Sequence, residues 1–310
     1  MLPLPTSETS AFKSLVAEQE VVQATKFQGR MLEEYSQYIF PGQRWRTPRS
    51  SEVTDFLRPL CLEERVSLDG VIQGLSVLKG EESVHWADMG GGRGLPMRQL
   101  ANDTEKSSHL AMTNVDLFDY GLDGLDSNEL TMLEKMTPGI THEAAAPYLI
   151  QADVETVTLP EPADLITSIE SIQYINNPLA AISNWYNQLT DDGLIIISTE
   201  HDWTSWMRYR QAPNAQNSDD TPAHYLLQAF KEAGVAYAAS GEIDFENGFR
   251  PKLDPNRISN LVIKKLPDTQ MVVNSPISEV WVSPHSYKAA YYEQPTVGSE
   301  PLVKIVPTTS

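Results

Sequence analysis

Between Val84 and Leu266, short apolar runs alternate with stretches of helical periodicity. This alternation predicts parallel strands joined by crossover helices. The strands fall at Val84–Asp88, His109–Asp116, Tyr148–Ala152, Ala163–Ser168 and Leu194–Ser198. Leu194-Ile195-Ile196-Ile197 is apolar at every position, as a central strand covered on both faces requires. Asp191-Asp192-Gly193 reads as the turn that leads into it. Leu179–Gln188 is a helix led by Pro178, and Ala223–Ala233 is a helix stopped by Gly234. Two further strands, Val235–Ser240 and Ser259–Leu266, flank a Gly-, Pro- and Asp-rich loop over 241–257.

The flanks have a different texture. Phe12, Leu15 and Val16, then Met31, Leu32, Tyr35, Tyr38 and Ile39, recur at helical spacing until Pro41-Gly42. A second helical region, Ser51 to Leu78, carries Val53, Phe56, Leu57, Leu60, Val71, Ile72 and Leu75; Pro59 and Asp69-Gly70 are expected to break it. After Leu266 comes a proline-containing tail with strand-like pieces at Met271–Val273, Glu279–Val282 and Val303–Val306. These strands either pair across a homodimer or pack on their own chain, and the pattern does not choose.

Composition narrows the function. With 310 residues and 41% hydrophobic content, the chain can bury a full core. Its formal charge of −19 repels polyanions, and the basic clusters (Arg44, Arg46 and Arg49; Lys264-Lys265) are short. Nucleic acid and an anionic membrane surface are therefore not expected as partners. Cys61 is the single cysteine, so no internal disulfide and no Cys/His metal site is expected. The N-terminus lacks the pattern of a secretory signal, and no apolar run approaches the ~20 residues of a spanning helix. A cytoplasmic protein is the expectation.

The candidate chemistry begins at Asp88-Met89-Gly90-Gly91-Gly92-Arg93-Gly94, directly after the first strand. Glycines allow a sharp turn and let a ligand touch the main chain. There is no lysine for a P-loop, and the sixth position counted from Gly90 is Leu95, so the dinucleotide pattern fails too. An acid opening the loop suits a cationic ligand without phosphate. Asp116 ends the second strand, where a carboxylate can accept from ribose hydroxyls. Asp153 follows the third, where one can accept from an adenine amino group. Each acid also has a plain reading as a turn or cap residue, and Asp119 and Asp123 are rivals for the ribose role.

The order acid-x-Gly-x-Gly-x-Gly, ribose acid, Ala152-Asp153-Val154 ahead of Leu159-Pro160, Ala163-Asp164-Leu165-Ile166-Thr167-Ser168 and Leu194-Ile195-Ile196-Ile197-Ser198 resembles the class I methyltransferase family over about residues 81–266. The resemblance implies a seven-stranded Rossmann-like α/β sheet with helices on both faces, ending in an antiparallel pair. It implies S-adenosyl-L-methionine as cofactor and S-adenosyl-L-homocysteine as product. Asp88, Gly90, Gly91 and Gly92 would hold the methionine end, Asp116 with Leu117 the ribose side, and Asp153 with Val154 the adenine; Ile169 completes the cofactor set. Residues 1–80 would then be a helical extension and substrate lid, 81–266 the catalytic domain and 267–310 the tail. The long segment Tyr120 to Pro147 departs from the family pattern at the adenine side.

In this family the segment after the fourth strand faces the methyl group. Here it reads Ser168-Ile169-Glu170-Ser171-Ile172-Gln173-Tyr174-Ile175-Asn176-Asn177-Pro178, without the tetrapeptide of amino-methylating enzymes. Asn177-Pro178 is more simply a helix cap and a first-turn proline. Glu170 and Tyr174 here, and His201 after the fifth strand, are the candidate catalytic groups, each with an ordinary structural reading as well. Trp203, Trp206 and Tyr209 line either an apolar pocket or the core. The expected reaction is in-line methyl transfer to a small organic molecule, as in specialised metabolism. The alternatives are a protein or peptide acceptor, and a non-catalytic cofactor-binding subunit.

Overall fold

The computed structural model describes residues 68–80, 83–92, 94, 97, 108–117, 148–169, 171–199, 203–209, 222–240, 258–274, 277–282, 288–292 and 300–308. The helices expected over 12–39 and 51–67 lie outside these residues. The first described element is helix α1, Leu68–Leu78. Asp69 and Gly70 are both helical within it, so the chain does not turn there. Val71, Ile72 and Leu75 are buried against Val84 and Trp86.

Strands β1 (Val84–Met89), β2 (Leu110–Asp116), β3 (Tyr148–Gln151), β4 (Ala163–Ile169), β5 (Leu189–Ser198), β7 (Tyr237–Ser240) and β8 (Asn260–Lys264) form one sheet in the order β3-β2-β1-β4-β5-β8-β7. β1 to β5 are parallel, and β8 runs antiparallel to both β5 and β7. The expected antiparallel end of the sheet is therefore present. α1 packs on one face. Helices α2 (Pro178–Asn187) and α3 (Pro222–Ala233) cover the other, in the larger core cluster. From β1 the chain steps to one side through β2 and β3, then crosses to the other with β4. Open sheets of this kind bind ligands at such a reversal, which here falls at the C-terminal ends of β1 and β4.

Local chemistry accounts for most boundaries. Asn177 caps α2 by accepting the Ala180 N–H at 3.1 Å, with Pro178 in the first turn. Gly234 ends α3 at φ 75°, where a left-handed residue is needed. β5 starts earlier than its apolar run. Leu189 pairs with Ala163, the register then shifts, and Leu194 resumes opposite Leu165. The Asp-Asp-Gly turn is thus an excursion inside the strand, with Asp192 at φ 65°.

Among the described residues, the tail strands pair within the chain. β9 (Thr269–Val273) is antiparallel to β12 (Val303–Pro307). It is tied to α2 by Ser183 Oγ donating to the Met271 carbonyl at 2.7 Å and by Asn187 Oδ1 accepting the Met271 N–H at 2.7 Å. β10 (Ile277–Val282) and β11 (Lys288–Tyr292) form a hairpin beside the short strand β6 (Met207–Tyr209). Tyr292 anchors this second layer. Its buried hydroxyl donates to Asn177 Oδ1 at 2.8 Å and accepts the Leu179 N–H at 3.3 Å. Tyr292→Phe should therefore lower the unfolding free energy by about 1–2 kcal/mol in urea titration, because the Leu179 N–H is left unpaired. An unchanged midpoint would contradict this anchoring.

Candidate active site

β1 delivers the glycine loop to this reversal. Gly90 N–H donates to the Val115 carbonyl at 2.7 Å, leaning the chain toward β2. Gly94 N–H closes the turn on the Gly91 carbonyl at 2.9 Å. φ is 76° at Gly90, 55° at Gly92 and 62° at Gly94. Side chains rarely tolerate that region, so alternate loop positions require glycine for their backbone. Gly91 is glycine for lack of room: a Cβ there would overlap Asn114 Oδ1 and sit 2.5 Å from Asp88 Oδ2. A Cβ on Gly92 would instead meet open space, so this stretch of main chain is open to a ligand.

The adjoining strands hold the loop through side chains. Gly92 N–H donates to Asp116 Oδ2 at 2.8 Å, and the Gly92 carbonyl accepts from Asn114 Nδ2 at 2.8 Å. Asp88 is only 2% exposed. Its Oδ1 accepts from Thr167 Oγ1 at 2.7 Å, and Thr167 accepts in turn from the Trp86 indole N–H at 2.8 Å. Burial pushes the Asp88 carboxyl up to about 7; the Thr167 hydrogen bond opposes this and the Asp116 charge adds to it. On the other side, Ser171 Oγ donates to the Met89 carbonyl at 2.8 Å and lies 2.6 Å from Ser168 Oγ. A Cβ on Gly90 would lie 2.6 Å from Ser171 Cβ, so the loop and the segment after β4 are in tight contact.

Leu117, just past β2, is 44% exposed, a large apolar side chain open at the sheet edge. Asp153 is exposed, and its Oδ1 accepts the Glu155 N–H at 2.9 Å, so it caps a turn. The Val154 carbonyl accepts from the Trp185 indole N–H at 2.9 Å, tying that turn to α2. Ile169, the last residue of β4, is buried in the smaller core cluster with Trp86 and Met97. Tyr174 is half-buried in a single 3-10 turn, Ile172–Tyr174, which packs against the turn Trp203–Trp206. Trp203 is a core residue, 1% exposed. Glu170 and His201 lie outside the described residues.

Three residues of this site escaped the sequence reading: Asn114, Thr167 and Ser171. The available signal was polarity out of place. Asn114 and Thr167 are polar residues at buried strand positions, and alternation puts Asn114 on the same face as Asp116. Among the described residues, no group of three His, Cys, Asp or Glu is placed to hold a metal ion. Nor is any helix long and apolar enough to cross a membrane.

A family model described as a methyltransferase domain matches residues 64–239. No curated protein sequence matches the chain. Among solved structures, it resembles the plantazolicin methyltransferase BpumL in complex with a pentazolic desmethylPZN analog and S-adenosylhomocysteine, at 11% identity and TM-score 0.37, over 62% of this chain and 80% of that one. It also resembles the N-methyltransferase NodS from Bradyrhizobium japonicum, at 13% identity and TM-score 0.34, over 64% and 94%. A third is the sugar N-methyltransferase KedS8 from Streptoalloteichus, at 13% identity and TM-score 0.36, over 63% and 85%. The family match spans more than half the chain, and the sheet order, antiparallel end and glycine loop agree with it. The chain belongs to the methyltransferase-domain family and is a class I, S-adenosylmethionine-dependent methyltransferase.

Proposed function

We propose that the chain methylates a small organic molecule of specialised metabolism, by in-line transfer at the C-terminal ends of β1 and β4. The observation that carries the reading is the loop itself. Its open Gly92 backbone is hydrogen-bonded to Asp116, and Asp88 packs against the neighbouring Gly91, so two carboxyl groups adjoin the loop, an environment suited to a ligand with an ammonium and a sulfonium and no phosphate. When bound, that cofactor supplies the electrophilic methyl group. Asp88 with Gly90, Gly91 and Gly92 holds the methionine end, and Asp116 takes the ribose hydroxyls. Exposed Leu117 covers one side of the adenine, while Asp153 and Val154 read its edge. Ile169 closes the floor of the site at the end of β4.

The acceptor sits over the ends of β4 and β5, where Tyr174 orients it and Glu170 or His201 takes its proton if it is a hydroxyl. Residues 1–80, of which α1 is the described part, roof the acceptor, 81–266 carry the chemistry and 267–310 form the outer layer. The charge of −19 supports a small acceptor over a polyanion. We place the enzyme in the cytoplasm, acting without nucleic acid or membrane. Calorimetric titration with S-adenosylmethionine tests the cofactor roles. Asp116→Ala should weaken binding by about 10- to 100-fold, the loss of charge-assisted hydrogen bonds worth about 1.5–3 kcal/mol. Wild-type affinity in this variant would remove Asp116 from the site. Release of demethylated cofactor in the presence of small hydroxyl- or amino-bearing acceptors then tests the acceptor class.

A further inference from the structure

Asn114 and Asp88 are register partners on β2 and β1, so their side chains stand together at the sheet edge. The orientation of the Asn114 amide is fixed by chemistry. Its Nδ2 donates to the Gly92 carbonyl at 2.8 Å, and because a carbonyl only accepts, the amide cannot be turned over. Its Oδ1 therefore points away from Gly92, is buried, and has no hydrogen-bond partner within the protein. It faces Asp88. A single Cβ on Gly91 would overlap Asn114 Oδ1 and come within 2.5 Å of Asp88 Oδ2, so the two oxygens crowd one point. The other Asp88 oxygen already has its donor in Thr167. Two acceptors facing each other in a buried site are repulsive if Asp88 is ionised, and attractive if a proton lies between them.

We infer that in the free protein Asp88 carries a proton on Oδ2 and donates it to Asn114 Oδ1, and that binding of the cationic cofactor expels this proton to solvent. Asn114 is the positioning residue of this device, because it holds the Gly92 carbonyl with one end of its amide and the Asp88 proton with the other. The upward displacement of the Asp88 carboxyl to about 7 by burial agrees with the geometry. Among the described residues, Asp116 on β2 is the charged group that faces Asp88, and its charge favours the proton. Thr167 on β4 and Trp86 on β1 are neutral. A net positive ligand beside Asp88 favours the carboxylate, so cofactor binding and proton loss are linked. Affinity then rises with pH up to about 7 and is flat above it. The inference rests on the S-adenosylmethionine reading of the loop.

Two measurements on the full chain decide it. The first is calorimetric titration with S-adenosylmethionine at pH 6 and pH 8, in buffers of different ionisation enthalpy. Wild type should release about one proton per cofactor at pH 6 and almost none at pH 8, with Kd about tenfold weaker at pH 6. Asp88→Asn keeps the shape of the neutral carboxyl, and its amide donates to Asn114. It should lose both the proton release and the pH dependence; the ligand's own titration is common to the two proteins and cancels. The second is thermal melting without cofactor. The folded Asp88 binds its proton more tightly than the unfolded chain does. Its contribution to stability is therefore full below the ordinary 3.8 and is lost as pH rises through about 7. Asp88→Asn should accordingly melt higher than wild type at pH 8. A lower melting temperature for Asp88→Asn at pH 8, or the same proton release from both proteins at pH 6, overturns the inference. Failure of wild type to bind cofactor at any pH overturns the cofactor reading instead, and the melting comparison still decides the state of Asp88.

Discussion

Gly91→Ala is expected to reduce S-adenosylmethionine affinity by at least about 100-fold, the largest binding effect of any single methyl group in this chain. The added Cβ would overlap Asn114 Oδ1 and lie 2.5 Å from Asp88 Oδ2 and 2.9 Å from Asp88 Cγ. None of these atoms is the loose end of a flexible side chain. Asn114 is tied to the Gly92 carbonyl, and Asp88 is tied to Thr167, which is itself held by the Trp86 indole. The least constrained group is the loop, so the loop moves, taking with it the backbone that meets the cofactor. Overpacking of this kind also costs about 1–3 kcal/mol of stability. Gly92→Ala is the informative contrast. Its Cβ meets nothing within 4 Å, and only the φ of 55° opposes it. It should cost about 1–2 kcal/mol. Calorimetry on both variants checks the distinction, and wild-type affinity in Gly91→Ala would show that the loop is not packed on Asp88 and Asn114.

Trp185→Ala should be the most destabilising substitution in the described core, lowering the unfolding free energy by about 3–5 kcal/mol. Trp185 is fully buried in the larger cluster beneath α2. Its indole N–H also donates to the Val154 carbonyl at 2.9 Å. Truncation thus opens a cavity and leaves a carbonyl without its donor. Against a typical total of about 5–15 kcal/mol, the loss is a large fraction, so the variant should be partly unfolded at moderate temperature. Trp185→Phe separates the two contributions, because it keeps most of the ring volume and drops only the N–H. It should cost less and still loosen the turn carrying Asp153 and Val154. Urea denaturation measures both, and a loss under about 1 kcal/mol for Trp185→Ala would refute the packing.

The site was legible where its chemistry is local. The left-handed residues Gly90, Gly92 and Gly94 announce a loop whatever surrounds them, because φ is a property of one residue. Asp116 stands where a strand-end acid was expected, but it also braces the loop through Gly92 N–H. Asp153 has its turn-capping role on view in the structure. Asn114 and Ser171 went unnoticed because their importance lies in what they touch, and their partners are distant along the chain.

The fold divides in the same way. Hydrophobic period, the Asn177-Pro178 start of α2 and the Gly234 stop of α3 determined the strands and helices of the sheet, each from forces acting within a few residues. Asp69-Gly70 reads as a turn, yet both residues are helical in α1, because burial of Val71, Ile72 and Leu75 against Val84 and Trp86 outweighs the local preference. The three-residue strand β6 exists because β11, some 80 residues later, supplies its hydrogen bonds. Tertiary structure alone decided that the tail folds back on its own α2, through Met271 and Tyr292. It alone brought the lone pair of Asn114 against the carboxyl of Asp88, because no local pattern encodes a meeting of two buried oxygens across adjacent strands.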